Sequence, residues 1–287
     1  MQEDPLFDKR VAIVGLGLMG GSLALALRGK CKAILAVDND PATIQQARQR
    51  FIVDQISDSP AEILPQADVI VLAAPVRTIL SLIPQLPDWH SGSPLVIDLG
   101  STKTDICAAL AQLPARFRTV GGHPMCGKEF SSLAYADNHL YQLATFALCR
   151  LPASNETACS LAEALVRAVG ANPIWMEAEN HDQAVAATSH MPFLVANALA
   201  AVIPAHAAVL TGPGLRSSTR LAGTSLRMMQ DVLLTNRQAV LAALTQLQSR
   251  LDLISELLSS NQDDALLSAL AEGEAAYRQV VLRGGQA

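Results

Sequence analysis

The sequence is short of charge, of paired cysteine and of any basic excess, and each shortage excludes something. Charged residues make up only 16% of the 287 residues, which argues against a disordered or strongly solvated chain. The formal net charge of −5 offers no basic face of the kind that binds nucleic acid. The five cysteines, Cys31, Cys107, Cys126, Cys149 and Cys159, are odd in number, scattered and without a C-x-x-C pair. That pattern excludes a disulfide framework or a zinc ribbon and fits reduced thiols in a cytoplasm. No cluster of metal-ligating residues is visible either. The first residues, Met1–Pro5, carry no basic stretch followed by an apolar one, so no secretory signal is expected. No apolar run approaches the roughly 20 residues of a membrane span. The most apolar stretch, Pro192–Pro204, contains Asn197 and reads as a buried helix. The expectation is a cytoplasmic protein acting on a small molecule, with neither nucleic acid nor membrane as partner.

What the sequence does have is apolar residues, 50% of the total, enough for substantial cores. Its length predicts two domains. In the first half, β-rich runs at Arg10–Gly15, Ala33–Asp38, Val69–Ala73, Leu95–Asp98 and Arg118–Val120 alternate with helical stretches such as Gly21–Arg28 and Pro41–Arg50. This alternation implies βαβ units and a parallel sheet. The runs VAIVG and VIVLA are almost wholly apolar, as strands buried on both faces must be. Two further β-like pieces, Ala144–Leu148 and Pro173–Met176, flank a helix from about Asn155 to Val169, which Gly170 can close. Beyond Glu177–Asn180 the β signal stops. Leu241, Leu244, Leu247, Leu251, Ile254 and Leu258 recur at helical spacing and predict one apolar helix face, suited to pairing two copies of the chain or, alternatively, to a monomeric helical core. The predicted fold is α/β: an N-terminal Rossmann domain with a doubly wound parallel sheet over residues 1–178, then an all-helical domain over 179–287 for substrate binding and homodimerisation.

The run Arg10–Gly15 leads directly into Gly15-Leu16-Gly17-Leu18-Met19-Gly20. A lone G-x-G-x-x-G is weak, but here it follows an apolar strand and precedes a helix. Gly15 permits the tight turn, Gly17 lets the backbone approach a pyrophosphate, and Gly20 lets helix and strand pack closely. The helix N-terminus, at Leu18 and Met19, then offers free N–H groups to the phosphates. Asp38 closes the next strand about 20 residues on, where a ribose-binding carboxylate is expected. It favours NAD over NADP, because a carboxylate repels a 2′-phosphate and no Arg or Lys lies beside it in sequence. Asp40 precedes Pro41 and reads as a helix N-cap. Ala74 and Pro75, in the small-residue turn after Val69–Ala73, are expected to line the same crevice.

Three further segments carry chemistry. Asp98–Asp105 (DLGSTKTD) and Gly121–Glu129 (GGHPMCGKE) both follow strands, at the sheet edge where open α/β folds bind ligands. His123, between Gly122 and Pro124, is placed on such a loop, and a neutral imidazole there can take a proton from a hydroxyl being oxidised. Leu210–Ala222 brings Arg216 and Arg220 into an otherwise apolar region, and Arg forks bind carboxylates.

Together these segments, with His181-Asp182-Gln183-Ala184, Ser189-His190-Met191-Pro192 and Ser218-Thr219-Arg220-Leu221-Ala222, resemble the prephenate/arogenate dehydrogenases of tyrosine biosynthesis over residues 10–236. The resemblance implies hydride transfer from a ring carbon of prephenate or arogenate to NAD(P), followed by loss of carbon dioxide. It implies that His123 is the catalytic base, that Ser101 bonds the reacting hydroxyl and helps orient His123, and that Arg220 clamps a substrate carboxylate. It places His190 and Asp182 in the cleft as substrate-binding residues. The chain departs from the family's pattern at Phe193, where many members have a second histidine, at Ser217, where many have an acid, and at Met229, where an aromatic is common. These positions leave the choice between prephenate and arogenate open. A β-hydroxyacid dehydrogenase shares the glycine motif, but its mechanism needs a lysine in the second domain, and no lysine follows Lys128. A non-catalytic NAD-sensing module gives no reason for His123, Ser101 and Arg220 to occur together.

Overall fold

The structure is a computed structural model that describes residues 5–128, 130, 132–152 and 154–282; Glu129, the last residue of the GGHPMCGKE segment, lies outside them. β1 (Arg10–Val14) buries four consecutive apolar residues, because it has a neighbour on either side and a layer of helices on each face. The chain then runs through α1 (Leu18–Leu27), β2 (Ala33–Val37), α2 (Pro41–Gln49), β3 (Gln55–Ser57), α3 (Pro60–Ile63), β4 (Val69–Leu72), α4 (Val76–Leu82), α5 (Leu86–Trp89), β5 (Leu95–Asp98), α6 (Thr104–Leu110) and β6 (Arg118–Pro124). β7 (Thr145–Arg150), α7 (Glu156–Ala168) and β8 (Asn172–Trp175) complete the layer. Among the described residues the strands form one sheet in the order β3-β2-β1-β4-β5-β6-β7-β8. Its first six positions follow the doubly wound dinucleotide-binding order, with the switch point between β1 and β4.

The sheet is parallel except at one seam, where it meets the two β pieces whose direction the sequence left open. β6 pairs antiparallel with β7, and β8 then runs parallel to β7. A parallel return needs a long crossover, usually a helix. Among its described residues the connection from β6 to β7 carries a 3₁₀ turn at Leu133–Tyr135 and no helix long enough for a crossover, so the chain comes straight back. The antiparallel pairing runs from Val120↔Arg150 to Pro124↔Phe146 and draws β6 four residues beyond the predicted end at Val120. His123 therefore sits on the last turn of a strand, opposite Ala147, and not on a free loop. β3 is a three-residue, partly exposed edge strand with too little patterning to be predicted.

Helix ends follow local rules. The Asp40 carboxylate accepts from the Ala42 and Thr43 amides, which makes it the N-cap of α2. Asn155 caps α7 through the Ala158 amide at 2.8 Å, and Gly170, at φ +83°, ends it. One apolar layer gathers Leu23, Leu27, Leu165 and Val166 against the sheet. The opposite layer gathers Ile79, Ile83, Ile106 and Leu110.

After β8, α8 (Ala178–Val185) passes through a π-helical turn at Ala186–His190 into α9 (Met191–Val202). Pro192 has no N–H to give Thr188, and its ring crowds that carbonyl, so widening the preceding turn accommodates it. The continuous run Ala178–Val202 is long and apolar enough to cross a membrane by length and composition, yet it also carries three buried polar residues, His181, Asp182 and His190. The expectation of a buried helix at Pro192–Pro204 is corrected. Within α9 only Phe193 and Ala196 are buried, and Val202 is 75% exposed. α10 (Pro213–Thr219), a 3₁₀ turn at Arg220–Gly223 that packs on α9, and α11 (Leu226–Thr235) follow. α11 packs on α4, where Arg77 and Asp231 form an ion pair at 3.7 Å.

By compactness the chain divides into residues 1–237 and 238–287. The second unit holds most of α12 (Arg237–Ser259) and all of α13 (Asp263–Ala276). Arg250 of α12 bonds the Ala269 carbonyl and pairs with Glu272 at 3.0 Å, closing this helical hairpin.

Candidate active site

The turn after β1 brings the glycines close to neighbouring backbone. Gly15 adopts φ +97°, and a Cβ there would stand 2.6 Å from the Ala73 carbonyl oxygen, so the turn after β1 and the turn after β4 nearly touch. A Cβ on Gly20 would overlap the Gly15 carbonyl oxygen; α1 lies that close to the turn. No side chain caps the N-terminus of α1 at Gly17, which leaves the first-turn N–H groups of Leu18 and Met19 facing the crevice with the helix dipole behind them. Asp38, just past β2, accepts from the Leu16 amide at 2.7 Å and the Asp40 amide at 2.9 Å. Those two bonds fix the carboxylate beside the glycine turn and leave lone pairs for a ribose diol. Ala74 and Pro75 cover the start of α4 across the crevice. A dinucleotide fits these residues by its phosphates and its adenosine ribose.

The carboxyl edge of β5 and β6 is held by a buried ion pair. The Lys103 ammonium bonds the Asp98 carboxylate, and both side chains are fully buried. Asp98 also accepts from the Gly100 amide at 2.8 Å and the Gly122 amide at 3.0 Å, while Lys103 donates to the Gly122 carbonyl at 2.7 Å. Every group of the pair is satisfied, as a buried pair must be. The turn that carries Ser101 and the end of β6 that carries His123 are thereby tied to each other.

His123 is partly buried. Its Nδ1 lies 2.8 Å from Nε2 of His181, and Nδ1 of His181 lies 2.9 Å from Oδ1 of Asp182. Asp182 in turn accepts from the Lys103 amide at 2.7 Å and the Thr104 amide at 2.8 Å, at the start of α6. Burial, followed by the neighbouring His181, Lys103 and His190, holds the His123 imidazole well below its ordinary range, so it is uncharged at neutral pH. Burial opposes ionisation of Asp182, but the hydrogen bonds from His181, Thr104 and Lys103 outweigh it and lower its carboxyl. His190 is 2% exposed, and burial is the main cause that pushes it down to about 4. Asn236, just past α11, places its amide nitrogen 2.7 Å from the Asp182 carbonyl and 3.2 Å from Nδ1 of His190. Thr102 and Thr235 meet at 2.9 Å, a second link between the sheet and the helices.

Of the residues read from sequence, His123, Asp182 and His190 fall into this one network. Ser101 lies on the adjoining turn, partly buried, but among the described residues no bond joins it to His123, whose Nδ1 is engaged by His181. Both carboxylate oxygens of Asp182 are spent inside the protein. Arg220 stands exposed at the head of its 3₁₀ turn. Phe193 and Met229 pack together with Val232 in a small buried apolar cluster, and the Ser217 hydroxyl donates to the Gly214 carbonyl at 2.9 Å on the surface. Cys126, three residues past His123, is raised to about 11 by burial and is a packing thiol, not a nucleophile. Sequence reading assigned no part to Lys103, Asn236 or His181. The one available signal was a His-Asp pair opening a helix.

A doubly wound sheet with a glycine turn at its switch point, joined to helices that bring histidines to its carboxyl edge, defines the two-domain nucleotide-binding dehydrogenase class. Residues 23–175 match the family model for the prephenate dehydrogenase nucleotide-binding domain, and residues 177–272 match that for the prephenate dehydrogenase dimerization domain. The chain belongs to the prephenate dehydrogenase family. It is 31% identical to the prephenate dehydrogenase of Bacillus subtilis over 80% of this chain and 65% of that one, so it spans just under two thirds of that relative's length. A crystal structure of prephenate dehydrogenase from A. aeolicus, in complex with hydroxyphenyl propionate and NAD+, superposes with TM-score 0.87 at 29% identity, covering 96% of this chain and 99% of that one. Synechocystis arogenate dehydrogenase superposes with TM-score 0.83 at 27% identity, covering 94% and 99%.

Proposed function

We propose that the protein is an NAD-dependent prephenate dehydrogenase that converts prephenate to 4-hydroxyphenylpyruvate, with arogenate as the alternative substrate. The observation that carries this reading is the His123 imidazole, held by His181 at the carboxyl edge of the sheet, beside a crevice shaped for a dinucleotide. When bound, NAD supplies the hydride acceptor. The glycine turn and the N-terminus of α1 bind its phosphates, and Asp38 binds the adenosine ribose and disfavours a 2′-phosphate.

His123 takes the proton of the ring hydroxyl as the carbon–hydrogen bond breaks. Ser101, on the adjoining turn, donates to or accepts from the same hydroxyl. Arg220 binds a substrate carboxylate from the helical side, and His190, neutral and buried, lines the cleft. Loss of the ring carboxylate as carbon dioxide then restores aromaticity, which makes the step effectively irreversible. Residues 1–178 act as the dinucleotide domain and 179–287 as the substrate and dimerisation domain. The exposed Val202, Val209 and Leu210, each at least 75% accessible in the single chain, support a homodimer. The five free thiols suit a cytoplasmic setting.

The test is binding followed by turnover. Calorimetry is expected to show NAD bound at least about tenfold more tightly than NADP, since one unfavourable charge contact of about 1.4 kcal/mol has that effect. Equal affinity for the two would overturn the role given to Asp38.

A further inference from the structure

We propose that His181 and Asp182 are positioning residues that hold His123 in the Nδ1–H tautomer, so that its Nε2 is the lone pair presented to the reacting hydroxyl. This rests on the reading of His123 as the base and names the groups that make it one. The direction of the hydrogen-bond chain is fixed from its far end. An ionised carboxylate can only accept, and Asp182 is pinned by the Lys103 and Thr104 amides with Oδ1 at 2.9 Å from Nδ1 of His181. His181 must therefore carry its proton on Nδ1. A neutral imidazole has one donor and one acceptor, so Nε2 of His181 accepts. The His123 Nδ1 at 2.8 Å must then be the donor, and Nε2 of His123 is left bare.

The charged and titratable groups around His123 agree with this assignment. Burial, and then the Lys103 ammonium, oppose a positive charge on His123, and the Lys103 charge is already matched by Asp98. Asp182 is the anion that remains to stabilise the imidazolium once the substrate proton arrives. The substrate O–H bond breaks, an N–H bond forms at Nε2 of His123, and the hydride leaves with its electron pair to NAD. Asp182 and His181 exchange no net proton. Ser101 is thereby released from orienting His123 and is free to serve the substrate.

The direct readout needs no substrate. In ¹⁵N-histidine NMR of the full-length protein at neutral pH, with His123→Asn used for assignment, His123 is expected to show a protonated Nδ1 and a bare Nε2. A protonated Nε2 overturns the proposal even if the enzyme is active. The observed tautomer with no turnover would leave this inference standing and remove the functional reading beneath it.

Substitution supplies the second arm. Gln at 181 can accept from His123 and donate to Asp182, so His181→Gln is expected to keep kcat within about tenfold. In Asp182→Asn the amide can donate to His181 and reverse the chain, and kcat is expected to fall at least about 100-fold, in the range set by losing a general base, with KM nearly unchanged. The NMR tautomer of Asp182→Asn is expected to invert along with this loss. A fall in kcat with the wild-type tautomer retained would assign the pair a merely structural role.

Discussion

Asp98 and Lys103 form a fully buried ion pair whose two partners clasp the Gly122 amide and carbonyl from opposite ends. Five residues apart in sequence, they fix the turn between β5 and α6 and, through Gly122, the strand position that carries His123. Lys103→Met leaves an uncompensated carboxylate in the core, which is expected to cost about 3–5 kcal/mol. The exposed pair Arg150–Glu156 is the control. Arg150→Ala is expected to give no measurable change, so urea unfolding of the two variants separates a structural pair from a decorative one.

Gly15 is held at φ +97° against the Ala73 carbonyl. A side chain there meets both an unfavourable backbone region and a backbone oxygen. Gly15→Val is expected to weaken NAD binding by at least about tenfold, since the left-handed region alone costs roughly 1–2 kcal/mol for a side chain. Titration of tryptophan fluorescence with NAD checks this; unchanged affinity would remove the crevice from the cofactor site.

The strands and the glycine turn of this fold were legible because their signals are local. VAIVG is buried on both faces, Gly15 to Gly20 lie within six residues, and Asp38 closes the adjacent strand. What escaped was long-range. His123 and His181 are 58 residues apart, and nothing in either segment indicates that the two rings meet. The antiparallel β7 was hidden for a related reason. Its sequence is as apolar as its parallel neighbours, and its direction reverses because no crossover helix occurs among the described residues between 125 and 144. Lys103 reads in sequence as an ordinary polar loop residue, because nothing in the DLGSTKTD segment shows that its ammonium turns inward onto Asp98 and reaches the Gly122 carbonyl of the next strand.

Acid is expected to destabilise the protein in a defined window. Burial depresses His190 from 6.5 to about 4, and burial also holds His123 well below its ordinary range. A histidine that is neutral when folded and free to charge when unfolded contributes stability that is fully present above pH 6.5. That contribution is lost as pH falls toward 4, because the unfolded chain then binds more protons. Urea midpoints measured between pH 8 and pH 4.5 are expected to fall steadily below pH 6.5. His190→Asn is expected to flatten the slope, and an identical slope would contradict the assignment.

Asp38 is expected to set cofactor preference. Asp38→Ser removes the charge that repels a 2′-phosphate while keeping an acceptor near the Leu16 amide. The ratio of kcat/KM for NAD to that for NADP is expected to drop by at least about tenfold, equivalent to about 1.4 kcal/mol.

The exposed apolar residues of α9 and the segment after it are expected to be covered in solution by a second copy. Sedimentation equilibrium is expected to give twice the chain mass of 30.4 kDa; a stable species at the single-chain mass would leave Val209 and Leu210 unexplained.

The central claim, that His123 is the base for an oxidative decarboxylation, is tested most directly by following reduced nicotinamide and carbon dioxide together. The purified protein would be given NAD with prephenate and, in parallel, with arogenate, and His123→Asn would be run beside it. The account predicts equal amounts of both products from prephenate, or from arogenate if that is the substrate, and a loss of at least about 100-fold in the variant with NAD binding intact. NAD binding without turnover of either compound, or turnover that survives His123→Asn, would contradict it.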